Sequence, residues 1–151
     1  MQHHLAILYR TYLDAILAGE KTIECRFGKM GYLPRLGLAP GDMIWMKESA
    51  GPVRAVATAG RVRRFDRLTP ARVARLRRKF NSGIRAPASF WRQHRDARFA
   101  TLAWLVDVSG LSPFWVVKRD RRAWVVLSGP PVPGQAVEVS PAGLLDPRGF
   151  T

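Results

Sequence analysis

The sequence predicts an α+β fold, a small barrel-like β-sheet with flanking helices. Three observations point there. Short apolar or alternating runs recur along the chain, each bounded by a glycine or proline turn signal. Helical signatures interrupt them near residues 12–18, 69–80 and 87–93. The length of 151 residues suits a single domain, large enough to bury a real core.

His4 to Tyr9 alternates weakly and reads as a first strand. Thr11 is placed to cap a helix over Tyr12–Ala18, with Tyr12, Leu13, Ile16 and Leu17 facing inward. Gly19 follows at the left-handed position on which helices commonly end. Residues 21–27 form a second strand, and Gly28 to Gly37 a loop carrying Lys29, Tyr32 and Arg35. Pro40-Gly41-Asp42 is a turn, and Met43 to Lys47 an apolar strand. After the Gly51-Pro52 turn, Val53 to Val62 is rich in small and β-branched residues. Gly60 within it marks a bulge or a close backbone approach.

Thr69-Pro70 opens a helix, with the hydroxyl as cap and the proline at the first helical position. Val73, Leu76 and Phe80 share one face of it. Arg72, Arg75 and Lys79 form a cationic ridge beside that face, with Arg78 further round. Pro87 to Gln93 is a short helix bearing Phe90 and Trp91, and Phe99 to Val108 is apolar on both faces, as a central strand is. Trp115–Val117 and Ala123–Leu127 flank Lys118-Arg119-Asp120-Arg121-Arg122 and predict a hairpin with a basic tip. From about residue 128 five prolines and four glycines predict an irregular tail, with a short strand at Ala136–Val139. There is no internal repeat and no low-complexity tract.

The formal charge is +14, and its distribution matters more than its size. Between Arg61 and Arg98 stand 13 basic residues against two acidic ones, Asp66 and Asp96, while the remaining 113 residues carry only +3. Twenty of the 25 basic residues are arginine, but a coding bias alone scatters arginines evenly, and these are concentrated. Such a concentration is the footprint of a polyanion.

No apolar run approaches the roughly 20 residues that cross a bilayer, and the N-terminus lacks a secretory pattern. The lone Cys25 permits no internal disulfide framework, as in a reducing compartment. A soluble cytoplasmic protein is expected, with no membrane partner and no obligate protein partner evident. His3 and His4 are adjacent without the Cys, Asp or Glu spacing of a metal site. No metal and no cofactor are expected.

The most informative stretch is Gly19-Glu20-Lys21-Thr22-Ile23-Glu24-Cys25-Arg26. In an extended chain residues 22, 24 and 26 share one face and 21, 23 and 25 the other. Ile23 and Cys25 then point into the core, Thr22, Glu24 and Arg26 outward or into a cleft, and Lys21 at the junction swings either way. Exposed ion pairs contribute only about 0–1 kcal/mol, so stability is a poor reason for this combination. Arginine binds oxyanions as a planar fork and lysine as a mobile point charge, so the patch suits phosphate or a base. Arg10, Lys47, Ser49 and Arg54 are candidates for a polar rim. Arg72, Arg75 and Lys79 are candidates to grip a nucleic-acid backbone. Trp91, between Phe90 and Arg92, is the aromatic expected to be exposed for stacking on an unpaired base.

The octet, with Asp14-Ala15-Ile16-Leu17-Ala18 before it and Pro40-Gly41-Asp42 after it, resembles the ASCH domain, a branch of the PUA-like superfamily. All fixed positions of that family's Gly-x-Lys-x-x-Glu-x-Arg signature are present. The resemblance covers roughly residues 4–65 and fades after Phe99. It implies a small PUA-like barrel as one domain over 1–151, in which about 66–98 is a basic helical insertion. It also implies a cleft between barrel and first helix that takes RNA or a modified nucleoside. Lys21 and Arg26 would contact phosphate or a base carbonyl, and Glu24 would accept from a base amine or orient the lysine.

Two catalytic alternatives follow from relatives. Some hydrolyse N4-acetylcytidine with a lysine, a threonine nucleophile and a later glutamate. Lys21 matches the lysine, but Glu24 stands at the threonine position, and Thr22 is displaced by two residues. Glu24 would then act as general base on a water, with Lys21 stabilising the oxyanion. Another relative is a ribonuclease, and Lys21, Glu24, Arg26 and His94 are candidates for such metal-independent chemistry. Nucleic-acid binding, with RNA as the partner, is the primary expectation.

Overall fold

The structure, a computed structural model, describes residues 1–29 and 37–141. Tyr32 and Arg35 of the predicted loop lie outside the described residues, as do 142–151 of the tail. Nine elements follow one another: β1 (His3–Leu8), α1 (Arg10–Leu17), β2 (Ile23–Gly28), β3 (Met43–Glu48), β4 (Val53–Phe65), α2 (Pro70–Ile84), α3 (Ala88–Gln93), β5 (Phe99–Phe114) and β6 (Trp124–Leu127). The six strands form one sheet in the order β2-β5-β4-β3-β1-β6, with β1 and β3 parallel and every other pair antiparallel. The sheet curls into a half-barrel. Arg26 on edge strand β2 reaches the Ile7 carbonyl of β1 at 3.0 Å and the Ala123 carbonyl, just before edge strand β6, at 3.5 Å.

Each face of the sheet carries its own core. Ala6, Leu8, Ile44, Met46, Ala55, Ala57 and Trp124 pack with Leu13 and Ile16 of α1. On another face Ile23, Cys25, Phe27, Ala100 and Leu102 pack against Val73, Leu76, Phe80 and Ile84 of α2 and Trp91 of α3. The α2–α3 segment leaves and re-enters the sheet between β4 and β5, which pair directly across it, Phe65 opposite Ala100.

Several elements differ from the sequence expectation. Helix α1 starts at Arg10 with Tyr9 as its N-cap and no side-chain cap, so Thr11 is already helical. Gly19 does take the left-handed conformation (φ +76°) just beyond the helix end. Helix α2 is capped as expected, Thr69 Oγ1 accepting from the Arg72 amide at 3.3 Å, but it runs on to Ile84. Ile84 extends the buried 73/76/80 stripe by one more turn, which is why the helix continues. Gly83 sits inside that last turn because a Cβ there would lie 2.6 Å from Ile23 Cδ1. Strand β5 continues past Val108 to Phe114, and the pairing of β4 with it shifts between Ala59 and Val62, at the bulge Gly60 signals.

The predicted 115–127 hairpin does not form. All four residues of β6 are buried, and β6 pairs with β1, so each face is covered by a core. Val117 instead exchanges hydrogen bonds with Gln135 and Val137, and Val139 bridges to Leu127, where the short tail strand was expected.

Candidate functional site

A cleft of about 1060 Å³ opens where the two sheet edges approach each other. One side is the end of β1 and the start of α1, with Tyr9, Thr11, Tyr12 and Ala15. The other is the end of α2, α3 and the loop between, with Asn81, Arg85, Ser89, Phe90, Gln93 and His94. The floor is β2 from Glu24 to Phe27, with Arg122 to Trp124 and Ser49 completing the rim.

Two octet residues meet on this floor. Glu24 is 7% exposed; its Oε1 accepts from the Cys25 amide at 2.8 Å and its Oε2 lies 3.8 Å from Arg26 Nη2. Arg26 spans the seam between the sheet edges and lays its guanidinium 5.2 Å from the centre of the Trp124 ring. The two form one carboxylate–guanidinium pair, the carboxylate buried and the guanidinium partly so, because alternate residues of a strand share a face.

Behind this pair stands a buried polar chain. The Trp124 indole N–H donates to His4 Nδ1 at 3.1 Å, and His4 Nε2 donates to Asp42 at 2.9 Å. Asp42 also accepts from the Gln2 and Ala39 amides. An indole can only donate, so Nδ1 must accept, which assigns the neutral Nε2–H tautomer. Burial pushes the His4 pKa below its ordinary value, against the opposing pull of Asp42. For Asp42 burial acts upward, but the Gln2 amide, His4 and the Ala39 amide together hold it below the ordinary range. Cys25 faces the core, where burial, with the Glu24 carboxylate, pushes its thiol up to about 12. It is no nucleophile at neutral pH.

Lys21 does not line the cleft. It is 3% exposed, and its Nζ donates to the carbonyls of Ile23 at 2.9 Å and Ile84 at 2.7 Å, 5.2 Å from the Tyr12 ring centre. It ties the start of β2 to the C-terminus of α2, where a cation also meets the helix dipole. Thr22 is exposed beyond the cleft, its amide bonded to the Gly83 carbonyl.

Of the expected rim only Ser49 lines the cleft. Arg54 is paired with Asp14 at 2.9 Å and with Glu48 at 3.6 Å, and Arg10 lies 4.0 Å from Glu48. The half-buried Lys47 bonds the Glu48 carbonyl, and burial lowers its pKa. Arg72, Arg75 and Lys79 are exposed along α2, as the helical phase requires. Trp91 is not exposed for stacking: at 4% exposure it packs edge-on against Phe27 and Phe90, inside the α2–α3 core.

Phe90 and His94 take the place expected of Trp91. They stand one helical turn apart with ring centres 4.4 Å from each other, and Phe27 lies 5.8 Å from both. Burial lowers the pKa of His94, so its imidazole is neutral at pH 7. Their i, i+4 spacing was the available signal. Tyr9, 70% exposed at the mouth, and Tyr12 face the cleft from α1. Among the described residues no cluster of three or more His, Cys, Asp or Glu stands ready for a metal, and no helix is long and apolar enough to cross a membrane.

No family model matches the sequence, and no curated protein matches it. Solved structures do match in shape. A tyrosine-to-phenylalanine variant of the ASCH protein from Zymomonas mobilis superposes with a TM-score of 0.60 at 19% identity, over 76% of each chain. The ASCH protein from Zymomonas mobilis itself gives 0.58 at 20% identity, over 74% of this chain and 71% of that one. A serine-to-alanine variant gives 0.59 at 21% identity, over 74% and 72%. The chain therefore has the α+β, PUA-like fold of the ASCH structures.

Proposed function

We propose that the chain is an ASCH domain protein that binds single-stranded nucleic acid, RNA in the first place, in the cleft beneath α1 and α3. One observation carries this reading: the cleft combines aromatic rings on both walls with a partly buried carboxylate–guanidinium pair on its floor. Unpaired bases stack on such rings at about 1–3 kcal/mol each. Arg26 and the rim residue Arg85 offer donors to phosphate or to base carbonyls. The arginine-rich α2 then meets the backbone on either side of the bound bases.

Titration of a labelled single-stranded RNA tests it. Arg26→Ala and Phe90→Ala each weaken binding by about fivefold to 150-fold, as one base stack or charged contact predicts at about 1–3 kcal/mol. Absence of binding by the unaltered protein at low salt would remove the proposal.

A second reading, metal-independent RNA cleavage, is favoured by His94 specifically. A neutral imidazole in the cleft that holds Arg26 is a base for a ribose 2′-hydroxyl, with the guanidinium beside the attacked phosphate. Its test is cleavage of single-stranded RNA in the presence of chelator, lost in His94→Ala. Hydrolysis of N4-acetylcytidine has less support, since Lys21 is occupied by two carbonyls and Thr22 stands outside the cleft.

A further inference from the structure

We infer that the interior of the half-barrel binds one structural water molecule between Glu24, Arg26 and Thr101, and that this site fixes the Glu24–Arg26 pair beneath the cleft. Among the described residues four buried side-chain polar atoms have no hydrogen-bond partner in the protein. Three of them are Glu24 Oε2, Arg26 Nε and Thr101 Oγ1. All three residues line one small cavity, together with Leu38, Ala103 and Trp124. Strand register brings them there, for Arg26 stands opposite Thr101 and Glu24 opposite Ala103 in the β2–β5 ladder. Buried polar groups of this kind are almost always satisfied, so three of them on residues that line one space point to a bound group there.

Size and chemistry select the ligand. The cavity offers about 10 Å³ to the centre of a water-sized sphere, close to the room one water needs. Arg26 Nε can only donate, the Glu24 carboxylate only accept, and the Thr101 hydroxyl does either. A water accepting from Arg26 and donating to Glu24 and Thr101 satisfies all three atoms. A cation would face the guanidinium, and an anion the carboxylate. With the water bound, both Glu24 oxygens are held, Oε1 by the Cys25 amide and Oε2 through the water. Thr101 thereby becomes a positioning residue for the pair, a role the octet gives no hint of.

The second half of this inference, the effect on ligand, rests on the nucleic-acid reading above; the water site does not. The experiment is a crystal structure of the unaltered protein, at a resolution that shows ordered water, with binding titrations on Thr101→Val and Thr101→Ser. One water within hydrogen-bond distance of all three atoms is expected; density that shows none there overturns the site, whether or not any variant folds. Thr101→Val is expected to weaken single-stranded RNA binding by roughly fivefold, the worth of about one hydrogen bond, and Thr101→Ser to restore it. Unchanged affinity in a folded Thr101→Val overturns the positioning role. An unaltered protein that binds no RNA overturns the functional reading instead, and the crystallography still decides the water.

Discussion

Lys21 Nζ donates to the carbonyl oxygen of Ile84 at 2.7 Å, so a cation at the entry to β2 closes the C-terminus of α2. The same ammonium holds the Ile23 carbonyl. The one lysine of the octet thus acts first on the fold, by joining the helix–sheet layer beside the cleft to the strand that floors it.

Replacing Lys21 by methionine keeps most of its volume and removes two charge-assisted hydrogen bonds in a buried site. A loss of about 3 kcal/mol is expected, which for a chain of this size lowers Tm by about 6–12 °C. A thermal melt checks it. An unchanged Tm with lost RNA affinity would return Lys21 to the ligand.

Gly83→Ala is expected to destabilise, although alanine is the better helix former. The helical gain is about 1 kcal/mol. Against it, the new Cβ would stand 2.6 Å from Ile23 Cδ1 and 3.0 Å from Thr22 Oγ1. Overpacking of that kind costs about 1–3 kcal/mol and outweighs the propensity. Urea titration of Gly83→Ala and of Gly83→Ala with Ile23→Val decides the sign, and the double variant recovers part of the stability because it lacks Cδ1 but keeps Cγ1, 2.9 Å from the new Cβ.

Reversing Arg72, Arg75 and Lys79 to glutamate is expected to flatten the salt dependence of single-stranded RNA binding. Three lost phosphate contacts remove about two from the slope of log affinity against log salt. Anisotropy titrations over a range of salt concentrations measure it. An unaltered slope would place the phosphates elsewhere on the molecule.

Stability is expected to fall as the solution is acidified below about pH 6.5. Burial lowers the pKa of both His4 and His94 in the folded chain. In that window the unfolded chain takes up protons that the folded chain refuses, so stability present above pH 6.5 is lost towards the folded pKa values. The slope reaches at most about 1.4 kcal/mol per pH unit for each histidine. Asp42, held below its ordinary range, adds a further loss as pH falls below about 4. Melts between pH 8 and pH 4 follow the decline, and His94→Gln makes its first part shallower.

The local code was legible where one side chain or one period decides the outcome. Thr69-Pro70 announces the start of α2, Gly19 the end of α1, Gly60 the irregular pairing of β4. The face shared by Glu24 and Arg26 follows from strand alternation, and the structure puts both on the cleft floor. Trp91 was misplaced because neighbours on a short helix differ by only 100° or so in direction, and which of them is buried depends on where Phe27 stands. The 115–127 hairpin failed for a related reason: proximity in sequence favoured it, but β6 is apolar on both faces and found a better-covered place beside β1.

By itself the sequence determined the class of fold, the helix boundaries that carry caps, the concentration of charge between Arg61 and Arg98, and the strand face that Glu24 and Arg26 share. These depend on interactions within a few residues or on simple sums. Tertiary structure alone decided that Lys21 turns to Ile84, that Thr101 stands across from Arg26, and that Phe90 and His94, not Trp91, face the cleft. Those outcomes depend on contacts between residues tens of positions apart. Register and the curl of the sheet set such contacts, and no local pattern encodes either.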